Sequence, residues 1–277
     1  MKLIAVTVTA LLMAFTITLA FGYYFVQPHS TGLSGQVRIY ALQARELAFG
    51  CERQAQIGKR IFEDTTRDAQ TRAFESREWF EMALSCDSVV ALDHLGFMYI
   101  NSLGVDQDID RGLAMLNQAK AAGYAEAAKT LAWEYMYGNP LEIDSVKAVQ
   151  NLEICATEMD QECRAFLAEQ LAYGVDPPNY LRAFMLAQDA AESGEPRAQG
   201  VLAMLYAFGQ GVNSDYGLAK SWAEKGAERD DPYALDTLAH LFLEGLGVPP
   251  DAQKGIEYLE TSAAAGDSSA LFTLGKR

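Results

Sequence analysis

Residues 234–248 read ALDTLAHLFLEGLGV, residues 198–212 read AQGVLAMLYAFGQGV and residues 91–105 read ALDHLGFMYINSLGV. Laid over one another, they place the same residue class at the same position. The register extends through most of the chain. Ala91, Ala127, Cys163, Ala198, Ala234 and Ala270 are separated by steps of 36, 36, 35, 36 and 36. Four residues on stand Leu95, Leu131, Leu167, Leu202, Leu238 and Leu274. The next column is small: Gly96, Ala132, Ala168, Ala203, Ala239 and Gly275. Three further on come Tyr99, Tyr135, Leu171, Tyr206 and Phe242, then a turn column of Ser102, Gly138, Gly174, Gly209 and Gly245. Self-similarity at a fixed period is the mark of a repeat architecture.

The columns carry their own physics. Offsets 0, 4, 5 and 8 fall on one face of a helix, so each copy opens with an amphipathic first helix. Its small residue admits a neighbouring helix closely, and the glycine-rich segment ends it. A second helical stretch follows, as in YGLAKSWAEKGAE at 216–228 and AQKGIEYLETSAAAG at 252–266. Small residues again stand near its start, at Gly112, Ala148, Ala183, Ala219 and Gly255. One such pair cannot bury its own apolar face, whereas a stack of pairs can. The expected fold is all-α, a right-handed α-solenoid of helix–turn–helix repeats. Copies start near 91, 127, 163, 198 and 234, and a partial one at 270 supplies a C-terminal cap.

Upstream, SREWFEMALSCD at 76–87 fits a second helix, with Trp79 where Trp222 stands. Residues 36–90 read as a divergent N-terminal capping repeat and 27–35, QPHSTGLSG, as a linker. Residues 3–26 are uncharged and overwhelmingly apolar, between Lys2 and Arg38. As a helix they would be about 36 Å long, enough to cross a bilayer. Residues 1–26 therefore read as an uncleaved signal anchor, Phe21, Tyr23, Tyr24 and Phe25 forming an interfacial aromatic belt. The alternative is a signal peptide cut after Ala20. With Lys2 inside, the anchored chain sits on the periplasmic side of the inner membrane, N-terminus in the cytoplasm; cleavage would leave it soluble in the periplasm or secreted.

The four cysteines agree with export, being even in number and lacking a C-x-x-C. Three pairings are possible. Cys155 and Cys163 lie eight residues apart across an expected helix–helix turn, which favours that bridge and leaves Cys51 with Cys86. The alternative keeps Cys163 as a thiol filling its core column.

The pattern A-x-x-x-L-G/A-x-x-Y-x-x-G-x-G-V, with a helix such as KSWAEKGAE after it, resembles the SEL-one-like repeat (SLR) family, relatives of the tetratricopeptide repeat. The resemblance covers about residues 76–277. It implies adaptor and scaffold roles, often across or outside a membrane. The Cys155–Cys163 spacing also resembles the cysteine-rich bacterial members, where a bridge joins the second helix of one repeat to the first helix of the next.

Catalytic and metal-binding patterns are missing from the sequence. His29, His94 and His240 are far apart in the repeat register, and no zincin, nucleophile-elbow, P-loop or EF-hand motif occurs. The expectation is no enzyme and no cofactor. The net charge is −15; residues 1–30 carry Lys2 and no acid, which leaves −16 for the remainder. That argues against nucleic acid and anionic lipid heads as partners and suits a basic protein. Two off-core columns of the first helix mark a protein-binding groove: Phe97, Trp133, Glu169, Met204 and His240, and, among Asn101, Tyr137, Tyr173, Phe208 and Glu244, its three aromatics. The resemblance to tetratricopeptide stacks puts these columns on the concave wall; the competing use of the rings is packing between repeats. Three functions follow: a periplasmic scaffold for a protein partner, an immunity or inhibitor protein against a toxin acting there, or a binder of cell-wall fragments or β-lactams.

Overall fold

The computed structural model describes residues 50–138, 140–157 and 160–276. The expected signal helix, the linker and the start of the capping repeat lie outside these residues. Among the described residues no helix is long and apolar enough to cross a membrane. The described residues form thirteen α-helices and one π-helical turn, with no strand. They divide into two compact units between Ala91 and Leu92.

The first unit centres on α1 (Cys51–Phe62) and α2 (Ala69–Leu84). Asp68 starts α2 by accepting the Thr71 amide at 2.9 Å. Phe80 is buried against α1 because position 58 is glycine; a Cβ there would lie 2.8 Å from the ring. A disulfide joins Cys51 to Cys86, tying the start of α1 to the segment beyond α2.

The second unit is a stack of helix pairs. These are α3 (Val89–Asn101) with α4 (Ile109–Ala121), α5 (Ala125–Tyr137) with α6 (Ser145–Thr157), and α7 (Gln161–Glu169) with α8 (Tyr180–Glu192). Then come α9 (Pro196–Phe208) with α10 (Tyr216–Ala227), α11 (Pro232–Glu244) with α12 (Ala252–Ala264), and α13 (Ser268–Gly275). Each first helix begins two residues before its alanine column. Leu95, Leu131, Leu167, Leu202 and Leu238 are at most 1% exposed. The small columns permit near-contact of backbones. A Cβ on Gly112 of α4 would lie 2.6 Å from the Gly96 carbonyl of α3.

Each pair closes with the same device. The amide of the residue capping the second helix donates to the carbonyl of the Tyr/Phe column: Asp108 to Tyr99 at 3.0 Å, Asp144 to Tyr135 at 2.9 Å, Asn179 to Leu171 at 2.7 Å, Asp215 to Tyr206 at 3.0 Å and Asp251 to Phe242 at 2.8 Å. The same five side chains then accept from the first turn of α4, α6, α8, α10 and α12. Part of the chain's acidity is thus helix capping. Gly138, Gly209 and Gly245 end their helices at φ of 63°, 66° and 68°, the left-handed conformation glycine adopts without strain. The third copy differs. α7 runs into a π-helical turn, Gln170–Gly174, and the Val175 amide donates to the Gln170 carbonyl at 3.1 Å. The cap Asn179 stands five positions after Gly174, where the other caps stand six positions after the turn column. The shorter exit is also the source of the single 35-residue step. Cys155 of α6 and Cys163 of α7 are disulfide-bonded, with Cα atoms 5.9 Å apart.

Candidate protein-binding wall

The first helices α7, α9 and α11 pack side by side, and side chains carry the same face back to α5. Lys129 of α5 reaches the next first helix, its Nζ 3.2 Å from Asp160 Oδ2 and 2.5 Å from Glu162 Oε2. Burial disfavours its charge, but the two acids outweigh that and hold its pKa above the usual lysine value. Its Nζ also stands 5.0 Å from the Trp133 ring, which meets Phe166 edge-on at 5.3 Å. The arrangement recurs one repeat on. Arg197 of α9 lies 4.3 Å over the Phe166 ring and donates to Glu169 Oε2 at 2.6 Å.

Glu169 draws in a third copy. The Tyr233 hydroxyl at the start of α11 donates to Glu169 Oε1 at 3.0 Å, across two repeat boundaries. The Tyr233 ring stacks on Tyr173, with centroids 6.0 Å apart and planes 16° apart, and the Tyr173 hydroxyl donates to Gln210 Oε1 at 3.1 Å. Burial raises the pKa of both phenols, so they stay protonated donors at any physiological pH. Beneath them lies Asp231, only 5% exposed, whose carboxylate caps α11 through the Ala234 amide at 2.9 Å. Burial pushes its pKa up to about 7, against the opposing pull of the Ala234 amide and Arg197. Gly200 makes room for it, since a Cβ there would collide with the Asp231 carboxylate.

The structure therefore places the groove residues in three classes. Glu169, Trp133 and Tyr173 join the bonded network between repeats. Phe97 and Met204 are half-buried on α3 and α9. Tyr137 and Phe208 project, 59% and 50% exposed, while Tyr173 keeps 38%. The Phe208 ring faces the half-buried His240 at 5.2 Å. Partial burial raises the Tyr137 phenol pKa, Arg197 opposing and Glu169 and Glu162 adding. Lys129, Arg197, Tyr233 and Asp231 are the wall residues that column reading passed over. Arg197 and Tyr233 stand one residue before the alanine column, Lys129 two after it and Asp231 three before it, positions whose residue class changes from copy to copy. His94 is 9% exposed on α3, its Nδ1 3.5 Å from Asp93 Oδ2. Among the described residues, no group of three or more His, Cys, Asp or Glu could hold a metal ion.

A family model for the Sel1 repeat matches residues 89–124, 125–156, 162–195, 196–231 and 232–267. These segments coincide with the five complete helix pairs. Among solved structures, a Sel1 repeat protein from Oxalobacter formigenes superimposes with a TM-score of 0.65 at 23% identity, over 81% of this chain and 93% of the other. A protective antigen of uropathogenic Escherichia coli with an SLR fold, c5321, gives 0.46 at 21% identity, over 84% and 57%. Immunity protein Pa5087 from Pseudomonas aeruginosa gives 0.43 at 15% identity, over 86% and 84%. The first likeness speaks for the fold, and the other two are too distant in shape to argue from. No curated protein matches the sequence. The five matched segments cover well over half of the chain, and it belongs to the Sel1 repeat family.

Proposed function

We propose that this protein is a non-catalytic scaffold that holds a protein partner on the wall formed by α5, α7, α9 and α11. The observation that carries the reading is the series Tyr137, Tyr173 and Phe208. Tyr137 and Phe208 end α5 and α9, Tyr173 stands at the same repeat position in the π-helical turn after α7, and the three keep 59%, 50% and 38% of their surface exposed in that order. Sel1 repeats typically mediate protein–protein interaction. Exposed aromatics on a rigid helical stack are the usual anchors of such contacts. The compartment we propose is the periplasm, with residues 3–26 as the tether. Two disulfides are in keeping with an oxidising environment.

The test is a double variant, Tyr137→Ala with Phe208→Ala, in the full chain expressed in its own envelope. Cross-linked partner bands should disappear, because aromatic hot-spot truncation costs about 2 kcal/mol or more per site. The melting curve should move little, since both rings are exposed. Unchanged cross-linking in a folded double variant refutes the wall. A reporter fused after residue 35 tests the compartment separately and should be active only outside the cytoplasm.

A further inference from the structure

The second unit seats cations over aromatic rings repeatedly. Arg111 stands 4.2 Å over Tyr99, Lys147 4.9 Å over Tyr135 and Lys254 4.3 Å over Phe242. On the wall itself Lys129 covers Trp133 and Arg197 covers Phe166, each cation anchored by carboxylates of a neighbouring first helix or its cap. The two most exposed rings of the wall depart from this pattern. Among the described residues no lysine or arginine stands over Tyr137 or Phe208.

Charge is unbalanced in the same place. Lys129 meets two carboxylates, Asp160 and Glu162. Arg197 is bonded to Glu169 and also feels the field of Asp231. The cations of the wall are outnumbered, and Glu162, paired with Lys129, keeps 46% of its side chain exposed. Further along the Tyr137 column, α11 ends in exposed Glu244 rather than an aromatic. The outer surface of the wall thus offers two rings with no lysine or arginine over them, Phe208 having His240 against it, next to surplus carboxylate. A quadrupole's negative face and a nearby anion both attract a cation, and neither attracts an acidic or purely apolar side chain as well.

We propose that the occupant of this wall is a cationic segment of the partner protein, with a lysine or arginine side chain seated over Tyr137 and a second over Phe208. The proposal rests on the protein-binding reading above and adds the chemistry of what is bound. The partner's cation takes the place over Tyr137 that Lys129 takes over Trp133, with the exposed carboxylate of Glu162 as its counter-ion. The net charge of −15 on the whole chain would speed the encounter with such a segment.

The experiment pans a library of short random peptides on the immobilised full chain in detergent, with counter-selection on Tyr137→Leu. Leucine keeps the apolar contact and removes the π face. Enriched peptides should carry an excess of lysine or arginine. Their affinity should fall roughly 3- to 30-fold on Tyr137→Leu, persist on Tyr137→Phe and weaken as salt is raised. Melting curves of both variants separate lost binding from lost folding; should Tyr137→Leu melt early, Phe208→Leu replaces it in the same comparison. Enrichment of acidic or purely apolar peptides that still depend on Tyr137 overturns the cationic occupant and leaves the protein-binding wall standing. No enrichment dependent on Tyr137 or Phe208 overturns both.

Discussion

Asp231 is a carboxylate whose two duties conflict. As the cap of α11 it accepts an amide hydrogen, which favours its charged form. Its burial disfavours that form more strongly, and its pKa rises from 3.8 to about 7. Between those values the folded chain holds a proton that the unfolded chain has released. This group's contribution to stability is therefore complete below 3.8 and is lost as the pH rises through about 7. Asp236, raised to about 6 by burial and by neighbouring Asp267, acts in the same direction. Asp231→Asn keeps a side-chain acceptor for the cap and removes the titration. Wild type should lose melting temperature between pH 5 and pH 8 relative to this variant, and the two should converge at the acid end. Parallel melting temperatures across that range would mean that Asp231 titrates normally.

At the scale of the helix, the glycine pair Gly96 and Gly112 sets how closely α3 and α4 approach. A methyl group at 112 would press on the Gly96 carbonyl and the Ile100 side chain, each 2.6 Å away. Backbone cannot move aside as a flexible side chain can, so Gly112→Ala should destabilise by about 1–3 kcal/mol. Ala148→Gly, at the equivalent place in α6, instead loses helix propensity by about 1 kcal/mol. Chemical denaturation of both variants checks the contrast. These small columns were legible in sequence because they recur at the period, as do the leucine core and the turn glycines. The capping column was equally legible and was passed over: Asp108, Asp144, Asn179, Asp215 and Asp251 recur at 36, 35, 36 and 36. The π-helical turn was not legible. Gly174 occupies the same column as Gly138 and Gly209, and only the shortened exit to Asn179 distinguishes it. The network of the wall was hidden for a related reason. Glu169 stood out as an off-core residue, but its partners Arg197 and Tyr233 come from different copies at one shared position, just before the alanine column.

For the whole molecule, two cross-links restrain different lengths of chain. Cys51 and Cys86 are 35 residues apart, and Cys155 and Cys163 are 8 apart. A longer closed loop restricts the unfolded chain more. On that basis removing the first bridge should cost about 4 kcal/mol and removing the second about 2–3 kcal/mol. Cys51→Ala with Cys86→Ala should therefore lower stability more than Cys155→Ala with Cys163→Ala. Denaturation of the two double variants in non-reducing buffer reads the difference.

A simple stack of repeats transmits load only between neighbours, so force peels it one pair at a time. Glu169 and Tyr173 reach past the α9 pair to Tyr233. That contact acts as a rivet through three layers. A chain pulled from its C-terminal end should first lose α13, in a small step. The copies from α7 to α11 should then let go together, in one longer extension at higher force, whereas Tyr233→Phe, without its bond to Glu169, should rip at lower force. Optical-trap traces that show equal single-pair steps throughout would mean the rivet bears no load. The rivet sits beside the exposed ring of Tyr173, so tension on a partner held by the proposed wall would pass into the stack before it loosened the contact.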